Sequence, residues 1–381
     1  MSEARKVFLH AAGLERYPYP PQCPFSTGRA GQLRRTLAAK GLLSGADRGE
    51  AVSAPADRIV LEKFHTAAYL DVLEKASHGE FSQPAALRLG LGTSDCPIFP
   101  GMYEGSALAA GATVEGARLI LSGAARIAFN PSGGLHHAHA AMASGFCYVN
   151  DVVLGCMILA EAGRRVFFLD VDAHHADGVQ EAFYDRADVM TVSFHESGWT
   201  LFPGTGFEAE IGVGPGRGYS VNVPLPPGTY DEAYMRAFAA IVPPLLEAYK
   251  PDAIVLEVGA DALAGDPLTH LCLTNNVYAD MALRLLMCRT PILVTGGGGY
   301  HQENTVRAWA LTWAALCGDD EPGDAGGAMG GVMLGSTDWR GGLGLRDRSL
   351  APDPQTRERV DRAVAQTVAT LKEAVFPLHG L

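Results

Sequence analysis

The amino-acid sequence predicts an α/β fold, with a central, mostly parallel β-sheet flanked by helices and functional groups at the carboxyl ends of the strands. Three observations lead there. Short runs rich in Val, Ile and Phe recur without polar alternation, as strands buried on both faces do. Helical patterns lie between them, so strand and helix alternate. Each run also ends in a segment rich in His, Asp or Gly, where open parallel sheets place their ligands.

In chain order, residues 17–29 (YPYPPQCPFSTGR) hold four prolines and read as a loop. Residues 126–129 (RIAF) form the first of these strands and lead into NPSGGLHHA. A helix over 150–162 follows, then a strand at 166–169 (VFFL) that runs into DVDAHHADG. The strand at 189–194 (VMTVSF) ends in HES, and that at 253–258 (AIVLEV) ends in GAD. Helices are expected over 230–249 and 276–288, and the strand at 292–295 (ILVT) ends in GGGGY. Residues 318–344, rich in Gly and Asp, read as an extended surface loop. A closing helix over 354–375 sets Val360, Val364, Thr367, Val368 and Leu371 on one face.

The chain has 381 residues, 48% of them hydrophobic, enough for a large core. With no repeat and no long linker, one domain over residues 1–381 is expected, with 318–381 packed on it. The net charge of -12 argues against nucleic acid as a partner, which wants a basic face. No apolar stretch approaches the roughly 18 residues of a membrane span, so a membrane is not an expected partner either. The seven cysteines are odd in number and contain no CxxC pair, which points to a reducing compartment. A cytoplasmic protein is the expectation; composition leaves the oligomeric state open.

Asp172 and His174 are two apart just after a buried strand, where alternate side chains share one side of an extended chain. Asp261 leaves a second strand through Gly259-Ala260. Three protein ligands with one open position define a hydrolytic zinc site. An Asp-x-His pair alone is a weak signal, and Asp261 and the neighbouring histidines strengthen it. Ferrous iron also suits carboxylate and imidazole ligands. Two carboxylates and a neutral imidazole leave zinc a weak Lewis acid, so the site needs help from protein groups. His136 and His137 follow a strand and a glycine turn, and Asp170 and Asp177 bracket the metal pair as candidate partners for the two rings. Tyr300, after the four glycines 296–299, is a candidate donor to a developing oxyanion. That glycine run lacks both the P-loop Lys-Ser/Thr and the GxGxxG spacing.

Together, NPSGGLHHA, ASGFCYVND, DVDAHHADGVQEAFY, MTVSFH, FPGTG, GADALAGDPL and GGGGY resemble the histone deacetylase superfamily. The likeness is to class I deacetylases and bacterial acetoin-utilisation deacetylases in particular, most clearly over residues 90–316. It implies an arginase-like fold and a zinc-dependent hydrolase that removes acetyl or other acyl groups from lysine side chains. The partner is then an acylated lysine protein or peptide, or a small acylated amine. By the resemblance, Asp172, His174 and Asp261 are zinc ligands, and His137 is the general base and then acid. His136, Asp170 and Asp177 complete the histidine machinery, and Tyr300 steadies the transition state. Asp95 matches a rim aspartate that holds the substrate backbone; Gly145, Phe146 and Phe202 match a tunnel around the acyl-lysine stem. The resemblance also implies structural potassium, at an inner site of Asp170, Asp172, His174, Ser193 and Phe194. An outer potassium site would take Phe183, Arg186, Val189 and Tyr219.

Two departures from the family pattern bear on substrate. Cys23-Pro24-Phe25, followed by Arg29, stands where the family often has His-Pro-Phe before a basic residue. Leu268, after Asp266-Pro267, stands where acetylpolyamine amidohydrolases can carry a glutamate, which favours acyl-lysine over the polyamine alternative. Two rivals remain. A ureohydrolase wants Asp-Ala-His-x-Asp, but His175-Ala176 follows Asp172-Ala173-His174. A non-catalytic acyl-lysine-binding protein would have no use for the full set of ligands, His pair and Tyr.

Overall fold

A computed structural model describes residues 5–319 and 345–381. Eight strands form one sheet in the order β2-β1-β3-β8-β7-β4-β5-β6. They are β1 (Arg5–His10), β2 (Arg48–Val52), β3 (Ala125–Asn130), β4 (Val166–Asp170), β5 (Val189–Glu196), β6 (Ser220–Leu225), β7 (Ala253–Glu257) and β8 (Ile292–Thr295). Every neighbouring pair is parallel, so the sheet is wholly rather than mostly parallel.

The missing alternation in the sequence has a direct cause. In β4, Phe167 and Leu169 pack into one core while Val166 and Phe168 pack into the other. In β7, Ile254 and Leu256 divide from Ala253 and Val255 in the same way. Helices cover both faces, so both must be apolar. On one side Met102–Leu121 and Asp151–Glu161 lie against the sheet; on the other lie Asp231–Tyr249, Asn276–Leu286 and Gln302–Cys317.

The five strands expected from the sequence are all present: β3, β4 and β5 run one or two residues further than expected, β7 stops one residue earlier, and β8 keeps its bounds. β1, β2 and β6 are additional. The edge strand β2 is mostly solvent-facing and carries no apolar run to announce it. The closing helix runs Pro354–Ala374 and buries Val360, Val364, Thr367 and Leu371 as its spacing requires. The loop expected at 318–344 falls, beyond Asp319, outside the described residues. All seven cysteines are free. Among the described residues, no helix is long and apolar enough to cross a membrane.

Parallel register aligns the final residues of β3, β8, β7 and β4 with one another and with Ser193 inside β5. Asn130 of β3 pairs with Thr295 of β8, Thr295 with Glu257 of β7, Glu257 with Asp170 of β4, and Asp170 with Ser193 of β5. A buried polar row therefore crosses the sheet where the apolar core ends. The chain beyond this row is pinned from below. Trp309 is fully buried, and its Nε1 donates to Val258 O at 2.7 Å, just before Gly259-Ala260-Asp261. Replacing Trp309 by Phe deprives that carbonyl of its partner and leaves a void. Denaturant unfolding should show a loss of about 1–3 kcal/mol; unchanged stability would mean this anchor is dispensable.

Candidate active site

Five loops, from β3, β8, β7, β4 and β5, converge above the polar row. The β4 loop is bent rather than extended. His174 N donates to Asp172 Oδ1 at 2.8 Å, and Asp172 N donates to Asp170 Oδ1 at 3.0 Å. Asp172 and His174 thus converge through side-chain-stabilised bends, a different route from the alternation expected. Asp261 arrives from β7, and its Oδ1 accepts from Ala173 N at 2.8 Å. His174 Nδ1 then lies 3.1 Å from Asp172 Oδ1 and 2.9 Å from Asp261 Oδ2.

These three donor atoms lie within 4.8 Å of one another, and all three residues are buried. Two carboxylates facing one imidazole nitrogen in a dry site call for positive charge. Burial pushes the Asp261 carboxyl up to about 7, reinforced by Asp172 beside it. Burial would depress His174, but hydrogen bonds to Asp172 and Asp261 hold it at about 10. A divalent cation satisfies the same demand. The separations also suit it, because bonds of about 2.1 Å in a tetrahedron set ligand atoms about 3.4 Å apart.

The glycines after β8 make this approach possible. A Cβ on Gly298 would stand 2.1 Å from Asp261 Oδ2 and 2.9 Å from Asp172 Oδ2. Gly298 N instead donates to Asp172 Oδ2 at 2.6 Å. Beneath, the buried Arg29 donates to Gly299 O at 2.6 Å and Gly297 O at 3.0 Å, with its guanidinium over Phe25 and Trp309. The loop ends in Tyr300, whose N donates to Asp266 Oδ2 at 2.8 Å. The Tyr300 ring stands edge-on to His174 and Phe146. Burial, then Asp261 and Asp172, raise its phenol well above the ordinary range, so it stays protonated.

The two histidines after β3 meet through Nε2, at 3.1 Å. Each has its own carboxylate environment. His137 Nδ1 lies 2.7 Å from Asp177 Oδ1, the pairing expected. His136 departs from expectation. Its Nδ1 is 3.6 Å from Asp170 Oδ2 but 3.0 Å from Glu257 Oε1, so Asp170 is the more distant of two carboxylates. The Glu257 contact lacks hydrogen-bond alignment, and both Glu257 oxygens are otherwise unpartnered. Burial opposes charge on His136, yet Glu257, Asp172 and Asp170 together hold its pKa well above the usual value. Burial and the neighbouring His136 push His137 down to about 4. The surroundings favour charge on His136 over charge on His137.

Residues 23–316 match the model of the histone deacetylase domain. The chain belongs to the histone deacetylase family. It is 44% identical to Histone deacetylase 8 of Xenopus tropicalis over 256 residues, 67% of this chain and 69% of that protein. With Histone deacetylase RPD3 of Saccharomyces cerevisiae it shares 38% over 318 residues, 83% of this chain and 72% of that one. An HDAC homolog from Aquifex aeolicus superimposes with a TM-score of 0.80 at 31% identity, covering 94% of this chain and 99% of its own. An HDAC homolog complexed with SAHA gives 0.82 at 31% identity, over 96% and 99% of the two chains. The fold is therefore the arginase/deacetylase one, and the protein is a deacetylase, an amide hydrolase.

Around the deacetylase centre, Gly145 packs so tightly that an added Cβ would meet His137 at 2.4 Å and Phe202 at 3.0 Å. Phe202 stands edge-on to His137 with ring centres 5.0 Å apart, and 46% of it is exposed at the rim. Asp95 Oδ2 accepts from Gly145 N at 3.2 Å, which ties the rim together. Leu268 N donates to Asp266 Oδ1 at 2.9 Å, so Asp266 joins the β7 and β8 loops. Ser193 Oγ donates to Asp170 Oδ2 at 3.0 Å, next to Phe194. Phe183 and Arg186 close one turn, Val189 opens β5, and Tyr219 O accepts from Thr191 N at 2.8 Å.

Sequence reasoning assigned no role to Glu257, Asp266, Arg29 or His139. Glu257 sat inside an apolar run, where a lone carboxylate was the available signal. Replacing Gly298 by Ala forces a methyl group onto both aspartates. Zinc affinity, read by competition with a chromogenic chelator, should fall about 10- to 100-fold; native affinity would remove the close approach as a requirement.

Proposed function

We propose that the chain hydrolyses the amide of acetylated lysine side chains in proteins or peptides, with zinc held by Asp172, His174 and Asp261. The observation that carries this reading is the convergence of two buried carboxylates and an imidazole beside the His136–His137 pair. The HDAC homolog that resembles this chain along its length is complexed with SAHA, which supports an acylated substrate. Bound there, a divalent cation polarises the acyl carbonyl and makes water more acidic.

The remaining work falls to the protein's own groups. His137 is the neutral ring and its Nδ1–H donates to Asp177; its basic atom is Nε2, which exchanges its contact with His136 Nε2 for water when it takes a proton. That proton passes afterwards to the departing lysine amine. Tyr300 retains its hydroxyl proton and donates to the developing oxyanion. His136 stays charged beside His137 and favours negative charge in the transition state. Asp177 holds the His137 ring in place, and Glu257 and Asp170 flank His136. Phe146 and Phe202 flank the apolar stem of the side chain, with Gly145 leaving it room, while Asp95 holds the substrate backbone. Leu268 presents no carboxylate for a second ammonium, which favours acyl-lysine over an acetylpolyamine.

Ferrous iron fits the same donor set. Structural potassium is assigned to Asp170, Asp172, His174, Ser193 and Phe194, where Ser193 Oγ and the Asp170 carboxylate sit together. A second potassium is assigned to Phe183, Arg186, Val189 and Tyr219.

Acetate release from an acetyl-lysine peptide should be sustained by the zinc-loaded protein and abolished in Asp261→Ala. Turnover that survives this substitution rules the reading out. Tyr300→Phe should lower kcat by about ten- to a thousandfold with a small change in KM. An unaltered kcat takes Tyr300 out of the scheme.

A further inference from the structure

One large aromatic side chain close to the mouth of the site is left in water. Trp199 is 84% exposed, more than any other large apolar side chain among the described residues. It lies on the β5 loop three residues before Phe202, whose ring stands edge-on to His137. Three residues of chain span at most about 11 Å, so Trp199 is within reach of the rim. The Phe207 ring packs against its indole, with ring centres 4.8 Å apart and planes at 46°. Among the described residues, no Arg or Lys stands over that indole.

The loop is held in shape at both ends. Glu196 is 1% exposed, and its carboxylate accepts from Thr200 Oγ1 at 2.9 Å and from His270 N at 2.8 Å. That ties the residue after Trp199 to the β7 loop. On the other limb, the Glu210 carboxylate accepts from Gly206 N and Phe207 N, each at 3.1 Å. The limbs meet at Gly198, where a Cβ would stand 2.7 Å from Thr205 O. An indole kept in water on a restrained tip forgoes the burial that a buried ring enjoys. Tryptophan so placed is typical of contact surfaces.

We propose that Trp199, backed by Phe207, is a docking platform for a cationic side chain within about three residues of the acyl-lysine. The substrate class of the site is then a basic peptide segment rather than a free acylated amine. This rests on the reading of the centre as a lysine deacetylase. An open indole face attracts a guanidinium or ammonium through the ring quadrupole and lets it keep much of its water. An apolar side chain would gain more from an enclosed pocket than from one open face. Residues 196–210 hold three glutamates and no Lys or Arg, and the whole chain carries a net charge of -12. The local field therefore favours a cation as well.

Zinc-loaded enzyme is assayed on a blocked single acetyl-lysine, on an acetyl-lysine peptide of Gly and Ala, and on peptides carrying Arg at each of three positions on either side. In the wild type, Arg at one or more of these positions should lower KM about two- to fivefold with little change in kcat. Trp199→Ala should lose that preference and leave kcat/KM for the blocked single residue unaltered. An Arg preference that survives Trp199→Ala overturns the proposal. So does a wild type without the preference, or an equal loss on the blocked residue. Binding gives a readout apart from turnover. The favoured Arg peptide should change the tryptophan emission of the wild type and much less that of Trp199→Phe; equal changes, or none, overturn the proposal. No acetate release with the emission response intact would sink the deacetylase reading and leave the platform standing.

Discussion

Negative charge held in a dry place is the constraint on which this structure turns. Asp170, Asp172, Glu257 and Asp261 are all buried at the carboxyl ends of two adjacent strands, β4 and β7. Placing one bare carboxylate in such a setting costs several kcal/mol, and four together repel one another. Each must find a cation, a proton or a set of donors. Backbone N–H groups of Asp172, Ala173, His174 and Gly298 supply donors. His136 supplies positive charge, and in the metal-free site a proton on His174 does the same. What remains is a concentrated demand for a cation at the centre, and that demand is the chemical basis of a metal site.

Glycine answers the steric half of the same problem. Aspartates from different strands approach only where the intervening backbone carries no Cβ. Gly259 would place one 2.0 Å from Asp172 Oδ2, and Gly298 would place one 2.1 Å from Asp261 Oδ2. A run of glycines is also loose, so the loop needs outside restraint. Arg29 grips two of its carbonyls from below, and Asp266 takes the Tyr300 amide from the side. The glycines allow the approach, and those two charged groups hold the resulting shape.

Much of this was legible in the sequence, for a physical reason. A strand buried on both faces must be apolar until the sheet ends, so the change from VFFL to DVDAHH marks the edge of the core and the start of the site. The five central strands and most of the converging side chains could be read from that change. β2 could not, because an edge strand facing solvent needs no apolar run. Nor could Arg29, whose partners lie about 270 residues away in sequence. Glu257 was hidden by its position at the end of AIVLE. Only the register that sets it beside Asp170 and Thr295, beneath His136, shows a carboxylate that belongs to the site rather than to the strand.

The adjacent histidines show how environment separates two identical groups. His136 looks inward, towards carboxylates sealed from water, and its charge cannot be relieved by solvent. His137 looks outward along Asp177, through a carboxylate already engaged elsewhere. Because their Nε2 atoms are 3.1 Å apart, charge on one discourages charge on the other. The inward ring, with more negative charge around it, is the favoured site for the first proton, and the outward ring is the one left unprotonated. Reversing the roles would require moving the carboxylates. The division of labour within the pair is therefore set by the sheet beneath it and by the helix Asp177–Phe183 beside it, and neither imidazole determines it alone.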